Sequence, residues 1–240
     1  RYELDEAGDE KVFTEEKEIS MMKLLCSPKI EERITYSSII HVPYMFEEDI
    51  TIKDGIFNAF TGYRARILED DEYDESKLEP LFKHLKEIWA GNNEKYYRWI
   101  LNWIVWMIRF PQSYNKTQTA IVLQSKQGAG KDTIYNFFSD YVLGNHLSLQ
   151  EPNLQSSIRF NSSYEGKILV SLQEVGGEQG KAHMYAENLK DMISRQTFMV
   201  EHKGIEKYIN MDNSHYLIFS NSFNPVRIEG SDRRFALFEC

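Results

Sequence analysis

The spacing of apolar and polar residues changes character twice along the chain. Residues 33–68 alternate apolar with polar and are rich in β-branched side chains (Ile34, Ile39, Ile40, Val42, Ile50, Ile52, Ile56). Asp54-Gly55 and Thr61-Gly62 interrupt them as turn signals, so the pattern predicts short strands and hairpins. Residues 80–90 and 94–110 then take a helical period, and Pro111 ends the second stretch. That helix carries Tyr96, Trp99, Trp103, Trp106 and Phe110 on one face. Such a stripe can stack bases, but an aromatic face on a helix is more commonly core, and core is the reading favoured here.

From Thr119 onward, strand and helix periods alternate. Apolar runs at 120–124, 168–172 and 216–219 predict buried strands, and 234–240 a fourth. Between them, 132–143 reads as an amphipathic helix closed by Gly144, 153–160 as a short helix and 186–195 as another. Residues 197–211 read as an exposed hairpin around Lys203-Gly204. Buried strands alternating with helices predict an α/β fold with a parallel central sheet. Three stretches follow: a partly β-rich accessory region at 1–80, a helical segment at 81–115 and an α/β core at 116–240.

Composition narrows the class. The 240 residues are 42% hydrophobic, enough for a sizeable core. Two cysteines, Cys26 and Cys240, exclude a disulfide scaffold, and the six histidines show no zinc-ligand spacing. No apolar run is long enough to span a membrane, so a soluble, intracellular protein is expected. A chain that starts at Arg1 and stops within a strand-like run reads as a piece of something longer.

The net charge of -9 at first argues against an anionic polymer as partner. Residues 1–80, however, carry 10 basic and 21 acidic residues, and residues 81–240 carry 18 and 16. The acidity lies in residues 2–20 and 69–79, which lack the apolar spacing of a packed element and read as solvated tail and linker. The remainder permits nucleic-acid binding through local clusters.

The sharpest signal is Ser125-Lys126-Gln127-Gly128-Ala129-Gly130-Lys131-Asp132-Thr133 between a buried strand and a helix. Small residues let successive backbone N–H groups turn toward a phosphate, and the lysine reaches the β- and γ-phosphates. This predicts a P-loop for ATP with Mg²⁺, Gln127 to Thr133 forming the cradle. Three positions depart from the usual pattern. Ser125 stands where the first glycine is usual. Asp132 stands where a Ser or Thr hydroxyl would ligate the metal, and the strand that should end in two acids ends in Gln173-Glu174. Asp132 can supply the carboxylate that position 173 lacks; alternatively it caps the helix while Thr133 serves the metal. Glu174 sits where a carboxylate polarises the attacking water, and with Asp132 and Thr133 it completes the expected Mg²⁺ set. Asn221 follows the third strand, and Arg233-Arg234 enter the last one.

Lysine, glutamate, lysine-bearing hairpin, asparagine and arginine pair fall within 103 positions of one another. That order resembles the superfamily 3 helicases of viruses and plasmids. More narrowly it resembles the helicase domain that follows the primase-polymerase in phage, plasmid and large-DNA-virus replication proteins. Residues 56–63, 99–103 with Pro111, 127–131 and 232–235 carry the resemblance, which covers roughly residues 50–240. It implies an AAA+-like core in a ring, usually a hexamer, with ATP at subunit interfaces and a primase-polymerase domain in the same longer chain. It also implies the cytoplasm or replication site of an infected or plasmid-bearing cell. Carried onto this chain, Lys131 binds phosphate, Glu174 activates water, Asn221 is the sensor and Arg233 or Arg234 reaches the neighbouring site. His202, Lys203 and Lys207 would hold single-stranded DNA in the channel.

Two other readings stay open. Gly-Lys-Asp-Thr is also similar to the loop of some phage-type nucleoside monophosphate kinases, although no arginine-bearing lid is evident. The altered positions 132 and 173 also suit an oligomeric scaffold that binds nucleotide without turnover.

Overall fold

A computed structural model describes residues 2–4, 10–12, 37–69, 72–126, 128–151, 161–173, 182–202, 206–221 and 232–240. Contacts divide the chain into Arg1–Ser37 and Ser38–Cys240. In the first unit, β1 (Tyr2–Leu4) and β2 (Glu10–Val12) pair antiparallel.

The second unit opens with β3 (Ser38–Ile40) and β4 (Ile56–Asn58). They pair in parallel, not as the hairpin the turn signals suggested. The connection between them is too long for a hairpin turn, and Asn58 closes it differently. Its side chain accepts from Val42 N at 3.0 Å and donates to Val42 O at 2.8 Å. A helical segment follows. α1 (Glu79–His84) widens into a π-helical turn at Leu85–Trp89, and α2 (Glu94–Arg109) starts at Asn93, whose side chain caps the N–H groups of Lys95 and Tyr96.

The central sheet has five strands: β5 (Ala120–Gln124), β6 (Ser148–Glu151), β7 (Leu169–Gln173), β10 (His215–Ser220) and β11 (Phe235–Glu239). Their order is β11-β5-β10-β7-β6, and every pairing is parallel. The mixed α/β class with a parallel central sheet is therefore as expected. β6 escaped the pattern reading because Ser-Leu-Gln-Glu lacks the apolar run of an inner strand; it lies at the sheet edge.

Alternate strand residues feed two cores, one on each face of the sheet. Ile121, Leu123, Leu217 and Phe219 pack with Leu85 and Trp89, with Ile100, Trp103 and Met107 of α2, and with Ile134 of α3 (Lys131–Phe137). α3 continues as a wider turn through Phe138–Leu143, covering the helix expected at 132–143. On the other face Val122, Val170, Leu172 and Ile218 pack against Leu189, Met192 and Ile193 of α4 (Ala182–Ser194). The short helix expected at 153–160 lies outside the described residues.

The aromatic stripe of α2 divides. Trp103 is 4% exposed and donates from its indole to Thr119 O, as core. Tyr96, Trp99 and Trp106 are 46%, 38% and 45% exposed, so the core reading fails for them. Tyr96 and Trp99 lie against Phe238 of β11 with their outer faces open, and Trp106 packs on Phe110 and donates to Asn115 O at 2.6 Å.

β8 (Thr197–Val200) and β9 (Tyr208–Met211) form the expected antiparallel hairpin. Its two roots are tied by a buried charge cluster. Arg195 Nε donates to Asp212 at 2.6 Å, and Lys116 Nζ approaches the same carboxylate at 3.4 Å.

Candidate functional site

Of the candidate residues, Lys131, Asp132, Thr133, Gln173 and Asn221 gather at the carboxyl ends of β5, β7 and β10. β10 inserts between β5 and β7, and such a break in sequential strand order opens a crevice beyond the strand ends. Ser125 leaves β5 with its N–H on Ser220 O at 3.2 Å, joining the ends of β5 and β10. Gly128 and Gly130 both take left-handed backbone angles, φ +85° and +84°, which glycine adopts without the usual strain. The chain then enters α3 at Lys131.

Lys131 is 8% exposed, and its Nζ donates to three oxygens. These are Ser125 O at 3.2 Å, Ser220 O at 3.0 Å and Asn221 Oδ1 at 2.7 Å. The parallel pairing of β5 with β10 thus brings together two residues 90 positions apart. Burial pulls the Lys131 ammonium below its ordinary pKa, an effect the Asp132 carboxylate opposes. Gln173, at the end of β7, points its amide at Asp132 Oδ1, 3.5 Å away. Thr133 is in the first turn of α3 and its N–H reaches Gly130 O at 3.3 Å. Gln127 and Glu174 lie outside the described residues.

The arginine pair is elsewhere. β11 runs parallel to β5 with Phe235 beside Ala120 and Glu239 beside Gln124. Residues entering β11 therefore sit at the opposite end of the sheet from the loop that leaves β5, about 13 Å away along the strands alone. Arg234 is held within its own chain: Nε donates to Ser194 Oγ at 2.9 Å and a terminal nitrogen faces Asp232 at 3.3 Å. Asp232 is itself 3.4 Å from Lys190. The Arg233 side chain is exposed.

The hairpin residues are also separate from Lys131. His202 Nε2 lies 3.1 Å from Glu165, which also accepts from Tyr208 at 2.6 Å and Asn210 at 3.3 Å. Lys207 pairs with Glu201 at 2.7 Å, both exposed. Lys203 lies outside the described residues.

Known proteins resemble this chain. A family model described as a family of unknown function (DUF5906) matches residues 123–234, which span the loop, the strands beside it and the arginine pair. The DNA primase-polymerase of Nitratiruptor phage NrS-1 is 30% identical over 145 residues, 58% of this chain and 19% of that protein. The chain thus spans under a fifth of the length of the curated relative it matches. Among solved structures, an A-form apo structure of the NrS-1 C-terminal region is 26% identical over 67% of this chain and 37% of that one, with a TM-score of 0.56. Another, residues 305–718 of that region, is 20% identical over 86% and 47%, with a TM-score of 0.61, and speaks for the fold alone.

Two neighbours of the loop carried no sequence signal. His84, on α1, places Nε2 2.9 Å from Gly130 O. Cys240 follows β11 and donates its N–H to Gln124 O at 2.9 Å; burial pushes its thiol pKa up to about 11, against the pull of Lys131. Neither a lone histidine in a helix nor a lone cysteine announces a partner more than forty residues away. Among the described residues no helix is long and apolar enough to cross a membrane.

Proposed function

We propose that this chain carries the ATP-hydrolysing motor of a superfamily 3 helicase, within a longer replication protein of the primase-polymerase kind, and translocates on single-stranded DNA. The observation that carries the reading is the 2.7 Å contact between Lys131 Nζ and Asn221 Oδ1 at the mouth of the parallel sheet. A phosphate loop needs its lysine beside a polar side chain from the neighbouring strand, and an accidental Gly-Lys pair in a surface turn has no reason to meet one. Resemblance to a phage primase-polymerase supports the same class.

In this reading the ammonium of Lys131 exchanges its carbonyl and amide acceptors for β- and γ-phosphate oxygens. Its lowered pKa reflects a buried cation, and a polyanion in the loop would stabilise its charged form. Asn221, released from the lysine, is then free to hold the γ-phosphate or the attacking water. Glu174, next in sequence after Gln173, draws the proton from that water as it attacks the γ-phosphorus, while the bond to the β–γ bridging oxygen breaks and ADP leaves with those electrons. The donor set fits Mg²⁺: the Asp132 carboxylate and Thr133 hydroxyl are hard oxygen ligands at the start of α3, and this ion needs only one or two such groups besides phosphate oxygens. Bound there, Mg²⁺ would neutralise charge on the β- and γ-phosphates.

One of the two arginines, Arg233 or Arg234, acts in another copy. From the far end of the sheet neither reaches its own chain's loop, so a guanidinium serving phosphate must come from an adjacent subunit, in a ring that is a hexamer in this reading. The hairpin bearing His202, Lys203 and Lys207 meets single-stranded DNA.

The test is ATP hydrolysis with and without single-stranded DNA, for wild type and Lys131→Ala. The reading expects free phosphate as product, stimulation by DNA, and loss of turnover in Lys131→Ala. Phosphate transferred to a nucleotide would instead establish a kinase, and nucleotide binding without turnover would establish a scaffold.

A further inference from the structure

We infer that His84 is a positioning residue for the phosphate loop, setting the orientation of the peptide unit between Gly130 and Lys131. The inference deepens the ATPase reading and rests on it for its kinetic consequence, though not for its structural one.

The contact has a defined chemical sense. A carbonyl oxygen only accepts, so the 2.9 Å approach of His84 Nε2 to Gly130 O requires the hydrogen on Nε2. In a trans peptide the C=O and the following N–H point in opposite directions. Holding the Gly130 carbonyl toward His84 therefore directs the Lys131 N–H away from the imidazole. That N–H belongs to the run of backbone donors with which such a loop grips phosphate.

Gly130 is the position where this orientation is least secure. Glycine at φ +84° has a second accessible orientation of its flanking peptides at little steric cost, so its local chemistry alone does not hold one of them. The first helical hydrogen bond, from Thr133 N at 3.3 Å, is long. The imidazole adds a second, better donor to the same oxygen. It also occupies the space that a side chain at residue 130 would need. A Cβ there would meet His84 Cε1 at 3.0 Å and Nε2 at 3.5 Å, with Thr133 Oγ1 at 3.6 Å.

His84 is fixed well enough to do this. It ends α1 directly before the π-helical turn, whose Leu85 and Trp89 are each 1% exposed and share a core with Ile134 and Tyr135 of α3. Single π-helical turns within α-helices are frequent at functional sites. The helical segment thus contributes a residue to the loop it packs beside.

Three substitutions separate hydrogen bonding from packing. His84→Phe fills the space without a donor, His84→Gln offers an N–H at similar reach, and His84→Ala removes both. On the full 240-residue chain, amide hydrogen exchange of residues 128–133 is measured without nucleotide, and KM and kcat for ATP are measured alongside. His84→Phe and His84→Ala are expected to speed exchange of the loop and raise KM roughly tenfold with kcat within about threefold, the scale of one hydrogen bond. His84→Gln is expected to restore both. Loop exchange and KM unchanged in His84→Phe would overturn the proposal, as would a lowered Tm with KM unaltered in all three. If wild type turns over no ATP, the motor reading falls by itself. Faster loop exchange in His84→Phe, restored in His84→Gln, would still uphold the anchoring.

Discussion

Gln173 presents its amide to the Asp132 carboxylate across 3.5 Å, from the end of one strand to the first turn of the helix after the loop. Asp132 stands where a Ser or Thr is usual and Gln173 where an acid is usual, and the two are neighbours. A carboxylate moved from strand end to helix start remains within the same small volume.

The first prediction concerns that exchange. Asp132→Ser and Gln173→Asp should each lower Mg²⁺-dependent ATP turnover, by roughly 10-fold or more, since each alone changes the charge at the metal position. The double substitution restores the charge and is expected to exceed the worse single variant. ATPase titrations against Mg²⁺ check this; a double variant no better than the worse single contradicts the exchange.

The second separates the arginines. Arg234 is engaged with Ser194 and Asp232, whereas Arg233 is exposed. Arg233→Ala should abolish turnover with Tm unchanged, as a group acting in a neighbour would. Arg234→Ala should lower Tm by a few degrees through loss of its ties, about 1 kcal/mol. Mixing Arg233→Ala with Lys131→Ala chains should recover part of the activity, because interfaces that pair an intact lysine with an intact arginine then form. Absence of any recovery in a confirmed mixed assembly would argue against action in trans.

Stability should fall with acid through His215. This side chain is buried, donates from Nδ1 to Asn213 O at 3.1 Å, and among the described residues has no hydrogen-bond partner at Nε2. Burial, reinforced by the Lys116 charge, pushes its pKa down from 6.5 to about 3. Between those values the unfolded chain binds a proton that the folded chain refuses, so the contribution is complete above pH 6.5 and is lost as pH falls toward 3. The slope is about 1.4 kcal/mol per pH unit. Urea unfolding from pH 7 to 5 should show that loss, and His215→Phe should reduce the slope.

The hairpin is predicted to be restrained by Glu165. Its carboxylate collects His202, Tyr208 and Asn210, and in the proposed DNA-binding role it would compete with a phosphate for the histidine. Glu165→Ala should tighten binding of single-stranded oligonucleotide by roughly 2–5-fold at low salt, with a steeper salt dependence. Weaker binding would mean that Glu165 holds the hairpin in its working position. Lys203→Ala should remove stimulation of hydrolysis by DNA.

Local pattern alone determined much of this protein. The apolar runs of β5, β7 and β10, the glycine-bearing loop after β5, α3 and the β8–β9 hairpin are recorded in neighbouring residues, because strand burial, helical period and turn chemistry act over a few positions. Tertiary structure alone decided that β10 inserts between β5 and β7, which is what carries Asn221 to Lys131. It also placed the arginine pair at the far end of the sheet, exposed Trp99 and Trp106, and aimed His84 at Gly130. The reason is physical. Strand order, the exposure of a helix face and the reach of a side chain depend on pairings between distant segments, and a window of adjacent residues contains no term for them.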